Sequence, residues 1–548
     1  MVTRVKAGIA AKTRAQELMQ NATLQVVEKV GPVAREVGKT ARKAARAVRK
    51  DVEKAVSGTL GLSGERMTKV DTAWLRMDSE SNLMMIIGVW IIMPAITHAA
   101  LCQRIEERLL KYPRFTQRVV QDSAGATWVK DAKFDIKQQV IVEKLATPFK
   151  RPSIDQQQQA LQDRVATLAV TPLDKKRPLW QFHLVQDYQG GAALIVRIHH
   201  CIADGIALIS VTQSLVDGGS APPEHKARAP RREGLEGLQD LVESSLFKPL
   251  SKLVSKAFGV ASVGAAKSME LFNDPQRGME RGMERGLNST LDVAKMAYQV
   301  ARDTANLVLM PDDSATRLKG VPGKTKRVAW CQPIPLEEVK AVSKALNCSI
   351  NDVLMSCVAG AIAQYLLSHG DPVKGKEIRA MVPVNLRSIE HAYKLGNQFG
   401  LAPIVLPIGI ENPIERVYEV RRRMNAMKGS MQPLLAFGML AVAGLLIKPA
   451  QDAMLSLFSK KTTAVMTNVP GPREKLKLCG ATLEQSLFWV PQSGTVGLGV
   501  SILSYGGGVQ FGVMTDATLC PDPQAIIDQF EPEFAKLALV TLMLPWGD

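Results

Sequence analysis

Apolar positions set the first divisions of this chain. The run Leu83 to Met93, rich in Ile, Met and Val, is short and unbroken, which predicts a buried strand. Pro94 follows, and then His98 to Tyr112 places Ala99, Leu101, Ile105, Leu109 and Leu110 at helical spacing, a helix expected to end at Pro113. Further strands are predicted over Ala192 to His200, Ala380 to Asn385, Leu401 to Ile408, Ala464 to Val469, Val496 to Ser504 and Gly508 to Met514. The last two flank Tyr505-Gly506-Gly507, whose glycines suit a hairpin turn.

Two regions depart from this rhythm. Val33, Val37, Ala41, Ala44, Val48, Val52 and Ala55 recur three and four apart, opposite Arg35, Lys39, Arg42, Lys43, Arg46, Arg49 and Lys50, the pattern of a basic amphipathic helix. Its apolar face holds only Val and Ala, so a membrane-surface helix and a solvated helix or frayed tail both stand as readings. Between 221 and 320, Pro222, Pro223 and Pro230 open a segment of three or four helical stretches. One carries the repeat Arg277 to Gly286, whose glycine every fourth residue weakens a helix. The expected organisation is a leader over 1–66, a first domain over 67–220, a helical linker over 221–320 and a second domain over 321–548. The most apolar stretch, Leu434 to Ile447, has 14 residues, short of the roughly 20 that span a bilayer. A soluble or membrane-surface protein is expected.

Composition narrows the partners. A chain of 548 residues exceeds what one core serves, and 46% hydrophobic against 22% charged residues excludes a disordered chain. The net charge is +17, and residues 1–60, with 13 Lys+Arg and 5 Asp+Glu, hold +8 of it. Such a surplus favours an anionic partner: nucleic acid, a membrane surface or a phosphorylated cofactor. The leader has no aromatic stacking residues and no reading motif, which argues against nucleic acid. Seven scattered cysteines without a CxxC pair point to free thiols in a reducing compartment. The first twenty residues lack an uninterrupted apolar core, against a secretory signal, while an Arg-rich transit peptide stays open.

The sharpest chemical signal is Arg197-Ile198-His199-His200-Cys201-Ile202-Ala203-Asp204-Gly205. A strand delivers two adjacent histidines into a turn, and adjacent strand residues face opposite ways. One imidazole is therefore expected to react and the other to brace; the ordinary histidine pKa suits it to accept a hydroxyl proton. Asp204 can orient the loop or pair with an arginine. Gly205 is expected to permit a backbone conformation or close approach that a side chain would block. A metal site is disfavoured by the opposed histidines, and Cys201 reads as a small buried residue rather than a nucleophile.

The HHxxxDG pattern resembles the condensation-type acyltransferases, the superfamily of chloramphenicol acetyltransferase and peptide-synthetase condensation domains. Asp71-Thr72-Ala73-Trp74-Leu75, Pro178-Leu179-Trp180, Asn351-Asp352-Val353, Pro383-Val384-Asn385-Leu386-Arg387, Gly396-Asn397-Gln398 and Thr467 to Pro472 extend the match along residues 67 to 530. This ordered set is similar to the wax ester synthase/diacylglycerol acyltransferase family. The resemblance implies an α/β (α+β) fold of two chloramphenicol-acetyltransferase-like domains with a tunnel between them. It implies transfer of a long-chain acyl group from acyl-CoA to a fatty alcohol or to diacylglycerol, with acyl-CoA as co-substrate, no further cofactor and no metal. By the same resemblance His200 is the general base, braced by His199, with Asp204 structural and Gly205 in the motif. Asn351 is either a donor near the thioester oxygen or a helix N-cap, and Pro178, Leu179, Trp180, Asp352 and Asn385 support packing and loops. The implied setting is cytoplasmic, with peripheral contact to anionic membrane or lipid droplets. Two rivals are a related acyltransferase for another alcohol or a carrier-bound acyl group, and a non-catalytic lipid-surface protein.

Overall fold

A computed structural model of the chain describes residues 64–122, 125–220, 310–386, 395–427, 432–443, 451–452, 455–456 and 459–543. The amphipathic leader helix and the repeat at 277–286 lie outside the described residues. The compact unit formed by 61–228 and 312–548 holds two large sheets and two hydrophobic cores.

In the first half, α1 is Lys69–Arg76, β1 Met85–Met93, α2 His98–Glu107, β2 Gln117–Asp122, β3 Gly125–Lys130, β4 Val140–Glu143, α3 Ile154–Ala169, β5 Trp180–Tyr188, β6 Gly191–His199 and α4 Gly205–Leu215. The second half contributes β7 Lys326–Trp330, α5 Leu336–Ala345, α6 Ile350–Ser368, β8 Ile378–Asn385, β9 Phe399–Leu406, α7 Pro413–Met427 and α8 Gln432–Ala443. It continues with β10 Ala464–Pro470, β11 Ala481–Trp489, β12 Leu498–Tyr505, β13 Gly508–Asp516 and α9 Gln524–Met543. The predicted strands are present, shifted by a few residues at their ends, and β12 and β13 form the expected hairpin across Gly506 and Gly507, both at positive φ. Helix α2 stops short of Pro113 because two 3-10 turns, Leu109–Lys111 and Pro113–Phe115, follow it.

The first sheet runs β11-β1-β6-β5-β4, with Lys477–Leu478 paired outside β11. β1 and β6 lie inside this order and are almost wholly buried, which explains the unbroken apolar run of β1 and the run Ala192 to Val196 of β6. The second sheet runs β9-β8-β10-β12-β13-β7 and mixes parallel with antiparallel pairs. One feature crosses the division expected at 321: β11, from the second half, pairs antiparallel with β1, Trp489 against Ile87 through Thr482 against Met93. The same sheet therefore carries strands from both ends of the chain. Among the described residues the helix long and apolar enough to cross a membrane is α6 rather than the stretch at 434–447, and most of α6 is buried in the second core.

Candidate active site

The loop that follows β6 is fixed from two sides. β6 ends at His199, so His200 is the first residue of the turn and not the last of a strand, a correction to the expected strand end. The His200 amide donates to Met84 O at 2.7 Å, whereas the His199 amide donates to Leu179 O at 2.9 Å. Consecutive amides thus reach opposite neighbours, as in an extended ladder, and the rings part in the same way.

The His199 ring is buried and held at both nitrogens: Nδ1 accepts the Cys201 amide at 3.1 Å, and Nε2 lies 3.3 Å from Asp78 Oδ1. Burial opposes charge on this ring, while Cys201 and Asp78 favour it and raise its pKa. In the neutral ring the Cys201 N–H aimed at Nδ1 decides the tautomer and assigns the ring proton to Nε2, toward Asp78. His199 therefore braces the turn. Cys201 contributes its amide to this brace, and its side chain is fully buried.

His200 has different surroundings. Its ring stacks on Trp74, with centroids 4.2 Å apart and planes 12° from parallel, and meets Phe399 at 5.4 Å. Nδ1 is buried and unpartnered. Burial lowers the His200 pKa from 6.5 to about 4, against the pull of its own carbonyl, Asp204 and Asn397. The imidazole is therefore neutral at physiological pH, the state in which a histidine takes up a proton.

Asp204 is the N-cap of α4. One carboxylate oxygen accepts the Ala207 N–H at 2.9 Å, and the other accepts the Gln398 N–H at 2.8 Å. The aspartate ties the histidine loop to the segment just before β9, and a short bridge between Ala203 and Gly396 runs alongside. Gly205 departs from its expectation. It has no positive φ, and a Cβ built on it would meet nothing within 4 Å. Neither special backbone geometry nor close protein packing calls for glycine there.

Three residues complete the site: Asp71 and Asn397, which the sequence motifs contained without a role, and Arg114, which they did not contain. Asp71 is fully buried on α1; Oδ1 accepts both the amide (3.1 Å) and the side-chain N–H (2.8 Å) of Asn397, and Oδ2 lies 3.2 Å from Arg114 Nη1. Burial raises the Asp71 pKa, against Arg114 and Asn397. Asn397 Nδ2 also donates to the His200 carbonyl at 2.8 Å, and Arg114 donates to Ile202 O at 2.8 Å. The same α1 carries Trp74, so one helix both stacks on the histidine and clamps its loop. An aspartate in a first turn reads as an ordinary helix-end charge, so the sequence offered no signal that Asp71 is buried.

The remaining expected residues sit in supporting positions. Leu179 and Trp180 are buried at the start of β5; the Leu179 carbonyl holds His199, and the Trp180 indole donates to Phe115 O. Pro178 O accepts from Gln139. Asn385 ends β8 opposite Phe399. The N-cap of α6 is Ser349, whose capping box with Asp352 takes the role left open for Asn351. Asn351 is instead exposed in the first turn, where its Oδ1 accepts from Asn468 Nδ2 at 3.0 Å. Among the described residues no three His, Cys, Asp or Glu side chains gather as a metal ion requires. The arrangement offers a neutral, aromatic-flanked imidazole on a rigid loop, which suits proton transfer from a hydroxyl.

Residues 67–354, more than half of the chain, match the family model for the wax ester synthase/diacylglycerol acyltransferase catalytic domain, and residues 395–538 match the model for the WS/DGAT C-terminal domain. The chain is similar to a probable diacylglycerol O-acyltransferase of Mycobacterium tuberculosis, 26% identical over 487 residues that cover 87% of this chain and 96% of that protein. Its fold is similar to the solved wax ester synthase/diacylglycerol acyltransferase from Marinobacter aquaeolei VT8, at TM-score 0.57 and 20% identity, over 87% of this chain and 99% of that one. The first condensation domain of the CDA synthetase aligns at TM-score 0.50 and 16% identity, over 87% and 97% of the two chains.

Proposed function

We propose that this chain, which belongs to the wax ester synthase/diacylglycerol acyltransferase family, moves a long-chain acyl group from acyl-CoA to a fatty alcohol, to diacylglycerol or to both, with His200 as the general base. The observation that carries the proposal is the buried His200 imidazole, packed on Trp74 and held by Met84 and Asn397 through its backbone. His200 removes the acceptor hydroxyl proton as the oxygen attacks the thioester carbonyl. The C–S bond then breaks, and the departing CoA thiolate takes that proton back from the imidazole. Direct transfer of this kind needs no covalent acyl-enzyme and no metal. A pKa near 4 weakens the base yet keeps it unprotonated. Asn351 is the candidate donor to the thioester oxygen; the bond from Asn468 to its carbonyl leaves its amide N–H groups available. The site acts in the cytoplasm, and the basic leader supplies contact with anionic membranes or droplet surfaces. Incubation of the purified chain with radiolabelled palmitoyl-CoA and either hexadecanol or dipalmitoylglycerol tests class and acceptor together. Labelled wax ester or triacylglycerol supports the proposal, and free palmitate alone, with neither ester, overturns it.

A further inference from the structure

A lysine inside a strand of a buried sheet needs partners, because an ammonium removed from water without them is costly. Lys326, the first residue of β7, is such a lysine. Its Nζ donates to Asn82 Oδ1 and to Gln492 Oε1, both at 2.7 Å, and lies 3.7 Å from Asp516 Oδ2. Asp516 is itself fully buried, and its other oxygen accepts the Gly323 and Thr518 amides at 3.0 Å. Gln492 is anchored on Met514 O. Every partner of Lys326 but one comes from the second half of the chain; the exception is Asn82.

Asn82 belongs to the short connection between α1 and β1, and both histidines hang from that connection. The Asn82 carbonyl accepts from Ser79 N–H, and its own amide donates to Ser79 Oγ, which closes a turn. Immediately before the turn, Asp78 accepts from the Met84 amide at 2.8 Å and faces His199 Nε2 at 3.3 Å. Immediately after it, Met84 O accepts the His200 amide. The Asn82 side chain gives its second bond to Gly494 O at 2.9 Å, so it is pinned to the second half twice.

We infer that Lys326 is a positioning residue for the histidine pair, acting through Asn82 to hold the 78–84 connection from which His199 and His200 take their placement. The inference rests on the reading of His200 as the acyl-transfer base. Burial draws the Lys326 ammonium down to about 8, against the pull of Asp516, so its partners offset only part of the cost of burying the charge, and what they fix is the geometry of the contact with Asn82. A greasy side chain of similar length would fill the same space without holding Asn82.

The test follows the titration of the His200 ring. Carbon-13 labelling of histidine in the full-length chain gives a ring resonance for His200, assigned by its loss in His200→Gln, and its midpoint is read by NMR independently of turnover. Lys326→Met and Asn82→Leu are expected to raise that midpoint from about 4 by roughly one pH unit or more toward the ordinary value, because a loosened connection admits water to the ring. Lys324→Ala is the control. Lys324 pairs with Glu80 of the same turn across the same two segments, but the pair is exposed, and exposed pairs hold little; the midpoint is expected to stay in place. Should Lys326→Met fail to fold, Asn82→Leu alone decides the matter, since it leaves the Lys326 contacts with Gln492 and Asp516 intact. A folded Asn82→Leu protein with an unmoved His200 midpoint overturns the inference. So does a Lys324→Ala protein that shifts as far. Absence of ester product in the wild-type chain would instead sink the functional reading and leave the titration result standing by itself.

Discussion

Acidification gives the most informative perturbation, because the proposed base is buried against Trp74 and Phe399. His200 is held at about 4 rather than 6.5. At pH 5.5 a base with the lower value is about 97% unprotonated, and one with the ordinary value about a tenth. The rate constant kcat/KM is therefore expected to hold nearly level from pH 8 to about 5 and to fall as pH drops through about 4. The same displacement is a statement about stability. The fold prefers the neutral ring, so below 6.5 the unfolded chain takes up a proton that the folded chain refuses, and stability declines as pH falls from 6.5 toward 4. The difference of about 2.5 pH units corresponds to about 3 kcal/mol at its limit. His183, also held low by burial, contributes a slope of the same sign in the same window. Comparison of wild type with His200→Gln isolates the His200 share. The assays are initial rates with labelled palmitoyl-CoA across a pH series, and urea denaturation at the same pH values. An acid limb near 6.5, with no difference in stability slope between wild type and His200→Gln, refutes the burial argument.

Three further outcomes are expected. Asp71→Ala removes the partner of a buried Arg114 and two of the bonds that hold Asn397, so urea denaturation should reveal a loss of about 3–5 kcal/mol, with transfer activity falling as the His200 loop loosens. Gly400→Ala would place a Cβ 1.8 Å from Pro433 O, a backbone atom that cannot swing aside; α8 must move off β9, and thermal unfolding should report a loss of about 2–3 kcal/mol. Deletion of residues 1–60, which carry +8 of the +17 charge, should weaken flotation with anionic liposomes, most clearly at low salt, while turnover of detergent-dispersed substrate is retained.

What the sequence made legible follows the range of the interactions involved. β6 is readable almost to the residue because a strand with neighbours on both sides writes a long apolar run, here Ala192 to Val196. β11 also alternates cleanly between buried and half-buried positions, but nothing local says that it joins β1, whose residues lie most of the chain away. The histidine pair was found by its spacing, and its division into one braced and one free ring followed from alternation. The partners that enforce this division come from distant segments: Asn397 stands in a recognised motif without a role, and nothing local marks Asp78 or Met84 as partners of the histidines. Trp74 stood in a recognised motif without a role, since its meaning depends on where α1 docks. Two expectations failed for local reasons. Ser349, three residues before Asp352, was the capping-box signal that should have withdrawn the N-cap reading of Asn351. Gly205 was assigned a backbone role on its residue type alone, and its open surroundings do not require one.

The central claim is that His200, and not its neighbour, is the base, and the most direct measurement compares His200→Ala with His199→Ala in the transfer assay after both proteins have been shown to fold. The account predicts that His200→Ala loses transfer by on the order of a hundredfold or more, while His199→Ala, deprived of a brace through Asp78 and the Cys201 amide, keeps a reduced rate. Two folded variants with equal residual rates, or a His200→Ala protein more active than its His199→Ala counterpart, would contradict it.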